Sequence, residues 1–205
     1  MGIIFDMGNV LALEVDVVPP IAEKLGMTID RLLEFSRDRF SDLMIGVGSA
    51  DEYWKAFNEK FHTDVREDLL ATLFHPVTDV RVKKLILDLK ASGHRVVCGT
   101  NTFEKHYRHH LKRGDYEGFD SVYASHLMGV AKPSEAFFEY ILRREGWTGP
   151  ETLFIDDRDA NVVSAARLGI RAFLYESFPP LKAWLIGMKA LPAQDAGERG
   201  LLEDL

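Results

Sequence analysis

The sequence predicts an α/β fold: a doubly wound parallel sheet with a small all-helical cap inserted after the first strand. Three observations predict it. Short apolar runs alternate with amphipathic helical stretches over most of the chain, the pattern of successive βα units. Two of those runs end directly in acid, Gly2-Ile3-Ile4-Phe5 in Asp6 and Thr152-Leu153-Phe154-Ile155 in Asp156-Asp157. Between them, from about Val17 to Phe74, the patterns are helical and no convincing strand is found.

Taken in order, residues 2–6 read as the first strand. In the insert, Ile21, Ala22 and Leu25 make one short apolar face, and Ile29, Leu32, Leu33 and Phe35 begin another. Tyr53, Trp54, Phe57 and Phe61 form an aromatic stripe at helical spacing, read as core packing rather than as a ligand shelf. Residues 79–92 read as an amphipathic helix with Val80, Leu85, Leu87 and Leu89 among its apolar positions, stopped by Gly93. Then follow strand 95–99, helix 103–113, strand 119–124, helix 133–145, strand 152–155, helix 160–168 and strand 170–175. Pro179-Pro180 set a turn before a last helix at 181–189, and the tail 191–205 reads as weakly ordered.

The chain has 205 residues, 46% hydrophobic and 28% charged, enough for one domain with a sizeable core or a core domain with an insert. Its net charge of −7 argues against nucleic acid as a partner, which would favour a basic face. The locally basic stretch with His106, His109, His110 and Lys112-Arg113 reads as a solvated helix face, and its histidines have no zinc-ligand spacing. No apolar run approaches the ~20 residues of a membrane span. The first strand starts so early that no targeting segment is expected. The single cysteine, Cys98, lies in an apolar run and fits a reducing, cytoplasmic setting.

A carboxylate at the end of a buried strand is costly unless something binds it. Ligands of open α/β sheets sit outside the carboxyl ends of the strands. Asp6 and the Asp156-Asp157 pair therefore predict one acidic pocket suited to a hard cation such as Mg²⁺. Helix capping is the simpler alternative for a single Asp, but adjacent acids repel unless a cation compensates them.

Four segments carry a resemblance. They are Phe5-Asp6-Met7-Gly8-Asn9-Val10, a strand ending in Thr100-Asn101, Lys132-Pro133, and Asp156-Asp157 followed by Asn161. In this order and spacing the chain resembles the haloacid dehalogenase-like hydrolase superfamily over about residues 2–190. The resemblance implies a Rossmann-like catalytic core at 1–14 and 76–190, and a helical cap at 15–75. It implies Asp6 as the nucleophile that forms an aspartyl-phosphate, and Mg²⁺ held by Asp6, the Gly8 carbonyl, Asp157 and Asp156. Phosphate would be bound by Thr100, the Asn101 region and Lys132, with Lys132 also keeping Asp6 ionised. Asn161 would orient Asp157. The expected activity is hydrolysis of a small phosphomonoester.

One position departs from the family pattern. The residue two places after the nucleophile, usually an Asp acting as general acid and base, is Gly8. Glycine transfers no proton. The form resembles a branch related to bacterial α-D-glucose-1-phosphate phosphatases, which implies a sugar phosphate, such as an aldose 1-phosphate, with a good leaving group. Glu14 and Asp16 are substitute donors on this reading. The alternatives are a 2-haloacid dehalogenase using Asp6, a phosphate-binding protein weakened by Gly8, and a receiver-type signalling module. The paired acids argue against the dehalogenase, and the insert and chain order argue against the receiver.

Overall fold

The computed structural model describes residues 1–192; the tail expectation for 193–205 lies outside the described residues. Five parallel strands form the main sheet: β1 (Gly2–Phe5), β4 (Arg95–Thr100), β5 (Ser121–Ala124), β6 (Thr152–Asp156) and β7 (Arg171–Leu174). Their order is β5-β4-β1-β6-β7, with β1 at the centre. Phe5 pairs with Cys98 on one side and Ile155 on the other.

The central strands β1, β4 and β6 are apolar on both faces because helices cover both. Alternate residues supply the two layers. Ile3, Phe5, Val96, Cys98, Leu153 and Ile155 face α5 (Val80–Ala91) and α10 (Phe178–Gly187), whose Leu85, Leu89, Leu181 and Leu185 complete that cluster. Ile4, Val97 and Phe154 face α8 (Glu135–Glu145) and α9 (Asp159–Arg167), against Phe137, Phe138, Ile141 and Ala165. On α5 the buried residues are Val82, Leu85, Ile86 and Leu89. Val80 and Leu87, read as apolar positions of that helix, are exposed. Pro179 and Pro180 sit inside the first turn of α10 rather than in a preceding turn, where their missing N–H groups cost nothing. Leu191 packs against the α5–α10 side of the core.

After β1 the chain makes β2 (Ala12–Leu13) and then four helices, α1 (Val18–Lys24), α2 (Ile29–Met44), α3 (Ala50–Phe61) and α4 (Leu69–Thr72). It returns through β3 (Val77–Thr78), which pairs antiparallel with β2 and closes the base of the helical segment. This two-residue ribbon carries no sequence signal. Thr28 and Ser49 cap α2 and α3 through their side chains. Tyr53, Trp54 and Phe57 of the aromatic stripe are buried in a separate apolar cluster with Leu32, Phe35 and Phe74, and Phe61 packs against it. Ile29 and Leu33 point outward. The remaining helices, α6 (Glu104–Arg113) and the short α7 (Ser125–Met128), follow β4 and β5. No helix among the described residues is long and apolar enough to cross a membrane.

Phe154 is fully buried and stacks edge-on against Phe138 at 5.0 Å. Phe154→Ala should therefore destabilise the protein by about 3–5 kcal/mol, read by urea unfolding. A loss of about 0.5 kcal/mol, typical of surface sites, would contradict close packing on this face.

Candidate active site

The parallel register brings the acids together. Asp6 follows Phe5, its N–H donates to the Ile155 carbonyl at 2.9 Å, and it therefore stands beside Asp156 at the end of β6. Both carboxylates are buried, Asp156 completely. Asp157 is the next residue and is half-buried. One oxygen from each of Asp6, Asp156 and Asp157 lies within 4.8 Å of the other two.

Lys132, in the loop before α8, closes the group from beneath. Its ammonium donates to Asp6 Oδ1 at 2.8 Å, Asp156 Oδ2 at 2.7 Å and the Gly99 carbonyl at 2.8 Å. Its side chain is 1% exposed. The loop is set by Asn101, whose amide donates to the Lys132 carbonyl and accepts from the Lys132 N–H, both at 2.8 Å. Sequence reasoning assigned Asn101 to phosphate; in the structure its side chain is committed to the Lys132 backbone. Asn161 donates to Asp156 Oδ1 at 2.8 Å, and the Arg158 N–H donates to the same oxygen. Asn161 therefore orients Asp156, not Asp157 as the sequence suggested. The partner of Asp157 is Asn9, whose Nδ2 donates to it at 3.0 Å. Asn9 reaches it from a left-handed backbone conformation (φ 54°).

Two buried carboxylates face one ammonium, so one negative charge is uncompensated. Burial is the main cause that pushes the Asp6 carboxyl up to about 7; Lys132 opposes the rise and Asp156 adds to it. Burial also disfavours the Lys132 charge, but Asp6 and Asp156 together hold its pKa above the ordinary lysine value. The donor set fits a hard cation: three carboxylate oxygens lie in mutual reach. Asp156 already accepts three hydrogen bonds. Asp6 and Asp157 have more free acceptor capacity.

Next to these acids is a cavity of about 240 Å³. Met7, Gly8, Thr100 and Asn101 line it from the sheet end. Val17, Val18, Phe40 and Met44 line it from the helical segment. His106 and His110 of α6 also line it and are buried, which corrects their reading as a solvated face. His106 bonds the Leu70 carbonyl at 2.7 Å and stacks on Phe74. His110 Nδ1 pairs with Asp115 at 2.8 Å. Of the two substitute acids, Asp16 lines this cavity and Glu14 does not. A larger groove of about 590 Å³ lies between α5 and α10, lined by Arg81, Lys84, Phe178 and Ile186 among others; of the two, only the 240 Å³ cavity is lined by Met7 and Gly8, next in the chain to Asp6, although Asp6, Asp156 and Asp157 do not line it themselves.

A model of the haloacid dehalogenase-like hydrolase family matches residues 1–169. The chain belongs to that family. A D-ribitol-5-phosphate phosphatase of Bacteroides thetaiotaomicron is 28% identical over 86% of this chain and 92% of its own. A sesquiterpene phosphatase of Aspergillus oryzae is 35% identical over 45% of this chain and 47% of its own. The chain spans less than half the length of the first curated relatives it matches. Among solved structures, a haloacid dehalogenase family enzyme of B. thetaiotaomicron superposes with a TM-score of 0.77 at 22% identity, over 90% of this chain and 97% of that one. The same enzyme has been crystallised with magnesium and inorganic phosphate.

Protons and a cation should compete for Asp6. Its folded pKa is raised, from 3.8 to about 7, so its contribution to stability is full below pH about 4 and is lost as pH rises through about 7. A cation that binds the ionised form returns that stability. The thermal shift caused by saturating Mg²⁺ should accordingly be small at pH 5 and grow through pH 7 to pH 8, read by scanning calorimetry. A shift of equal size across that range would show that Asp6 is not a ligand.

Proposed function

We propose that the protein is a Mg²⁺-dependent phosphomonoester hydrolase that works through an aspartyl-phosphate on Asp6. The observation that carries this reading is the buried Asp6–Lys132–Asp156 cluster beside a half-exposed Asp157. Phosphoryl transfer needs a positioned nucleophile and positive charge around the phosphate oxygens. Asp6 attacks phosphorus, and the bond to the leaving oxygen breaks. Water then attacks the phosphorus of the aspartyl-phosphate, releasing phosphate and restoring Asp6. Lys132 favours the ionised carboxylate. Thr100 and the main chain at Asn101 bind phosphate oxygens.

Asp6, Asp157 and the Gly8 carbonyl would hold Mg²⁺, with Asp156 bound directly or through water. When bound, the ion neutralises charge between carboxylates and phosphate. The helices at 15–75 act as the cap over the core at 1–14 and 76–190. The phosphatase names of the relatives support this class of activity. A 2-haloacid dehalogenase would not need the acidic pair. The chain has one cysteine, the buried Cys98, so no internal disulfide can form, which fits a reducing, cytoplasmic location.

Gly8 leaves the departing oxygen without a carboxylic acid two residues after the nucleophile. Leaving groups of low basicity are then favoured. The hemiacetal oxygen of an aldose 1-phosphate is one such group, and phenols are another.

Asp6→Asn keeps the side-chain volume and removes the nucleophile, so kcat should fall by orders of magnitude with folding retained. EDTA should abolish turnover, and added Mg²⁺ should restore it. Turnover that persists in EDTA, with halide released from a 2-haloacid, would move the assignment to the dehalogenase.

Gly8 has an ordinary backbone conformation, and a Cβ there would meet only Val15 at 3.5 Å. Gly8→Asp should therefore fold normally. Supplying the acid should raise the rate on primary-alkyl phosphates by about 10²–10⁴-fold and that on p-nitrophenyl phosphate far less. A uniform change on both substrates would indicate that another group, Asp16 being nearest the cavity, already transfers the proton.

A further inference from the structure

The walls of the cavity beside Asp6 bear on what the phosphate is attached to. Val17, Val18, Phe40, Met44, Phe74 and Phe103 form a large apolar part of that wall. They come from four separate stretches of chain and belong to or pack against one apolar cluster. Polar side chains are present and most of them make a bond elsewhere, although His106 and His110 do so through one ring nitrogen and Asp16 through one oxygen. Asn101 is bound at both ends to the Lys132 backbone, and the Thr102 hydroxyl donates to the Phe103 carbonyl at 3.4 Å. His106 is held by the Leu70 carbonyl and His110 by Asp115. Asp16 caps the Val18 N–H at 2.9 Å. Thr100 also lines the cavity, at its sheet end. A polyol placed here would set hydroxyls against the apolar walls, and each one left unpaired is unfavourable. An alkyl or aryl group would replace water on apolar walls.

We infer that the organic group carried by the substrate phosphate is apolar and compact, which among the weakly basic leaving groups that Gly8 favours selects an aryl phosphate over the aldose 1-phosphate. This deepens the phosphatase reading and rests on the phosphate being bound at Asp6. The volume sets the size. A cavity of about 150 Å³ accepts benzene, so 240 Å³, shared in part with the phosphate, accepts roughly six to ten carbons. The walls come from both the helical segment and the core, so the cavity reads the whole length of such a group.

The test is calorimetric titration of the wild-type protein in Mg²⁺ with n-alkyl phosphonates from ethyl to decyl, which cannot be hydrolysed. Affinity should rise about fourfold per methylene and level off at roughly six to ten carbons. A polyhydroxylated hexyl phosphonate should bind at least tenfold more weakly than hexyl phosphonate. Phe40→Ser and, separately, Met44→Ser should flatten the chain-length dependence. These two residues are only partly buried, and two variants guard against one that misfolds. Affinity independent of chain length, tighter binding of the polyhydroxylated compound, or no binding of any phosphonate would overturn the inference. Chain-length-dependent binding without turnover of p-nitrophenyl phosphate would uphold the apolar cavity and remove the phosphatase reading instead.

Discussion

The Lys132 ammonium ties together the carboxyl ends of three adjacent strands. It bonds Asp6 after β1, Asp156 at the end of β6 and the Gly99 carbonyl within β4. A buried charge cluster is rarely a net gain in stability, because desolvation offsets the attraction, yet removing one partner costs about 3–5 kcal/mol. The arrangement is therefore better understood as positioning. It fixes two carboxylates and one cation in a rigid frame of parallel strands, at the end of the sheet where ligands bind in open α/β folds. It also leaves one negative charge in excess, which a divalent cation near Asp6 and Asp157 would compensate.

The rest of the site is arranged around that frame. The Asn101 amide sets the loop that delivers Lys132, and Asn161 holds the Asp156 carboxylate from the first turn of α9. The β2–β3 ribbon lets the helical segment leave and rejoin the core at nearly the same point, so Phe40 and Met44 come to line the same cavity as Gly8. The catalytic proposal and the specificity inference meet at Gly8. It withholds an acid from the leaving oxygen, while the neighbouring walls suit an apolar group attached to that oxygen.

The sheet and its acids were legible because each signal was local. Apolar strands ending in Asp6 and Asp156-Asp157 can be seen within six residues of sequence, and the helices between them carry their own period. The β2–β3 ribbon was not legible, since two residues per strand give no alternation. His106 and His110 are buried although the stretch around them is basic. Phe103, His106, Tyr107 and His110 in fact repeat at the interval of one helix face, and the two histidines lie on its buried side. Asn101 and Asn161 were placed near the site, but their partners depend on loop geometry between distant segments. The apolar cavity was invisible for the same reason, since Val17, Phe40, Phe74 and Phe103 become neighbours only after folding.

The central claim is that Asp6 carries the phosphoryl group during turnover. The most direct measurement is a single turnover with a phosphoester labelled in its phosphorus, quenched rapidly in acid and followed by peptide mapping. The account predicts a transient, hydroxylamine-sensitive label on the peptide containing Asp6, absent in Asp6→Asn. A label on another residue, or full turnover with no labelled protein at any quench time, would contradict it.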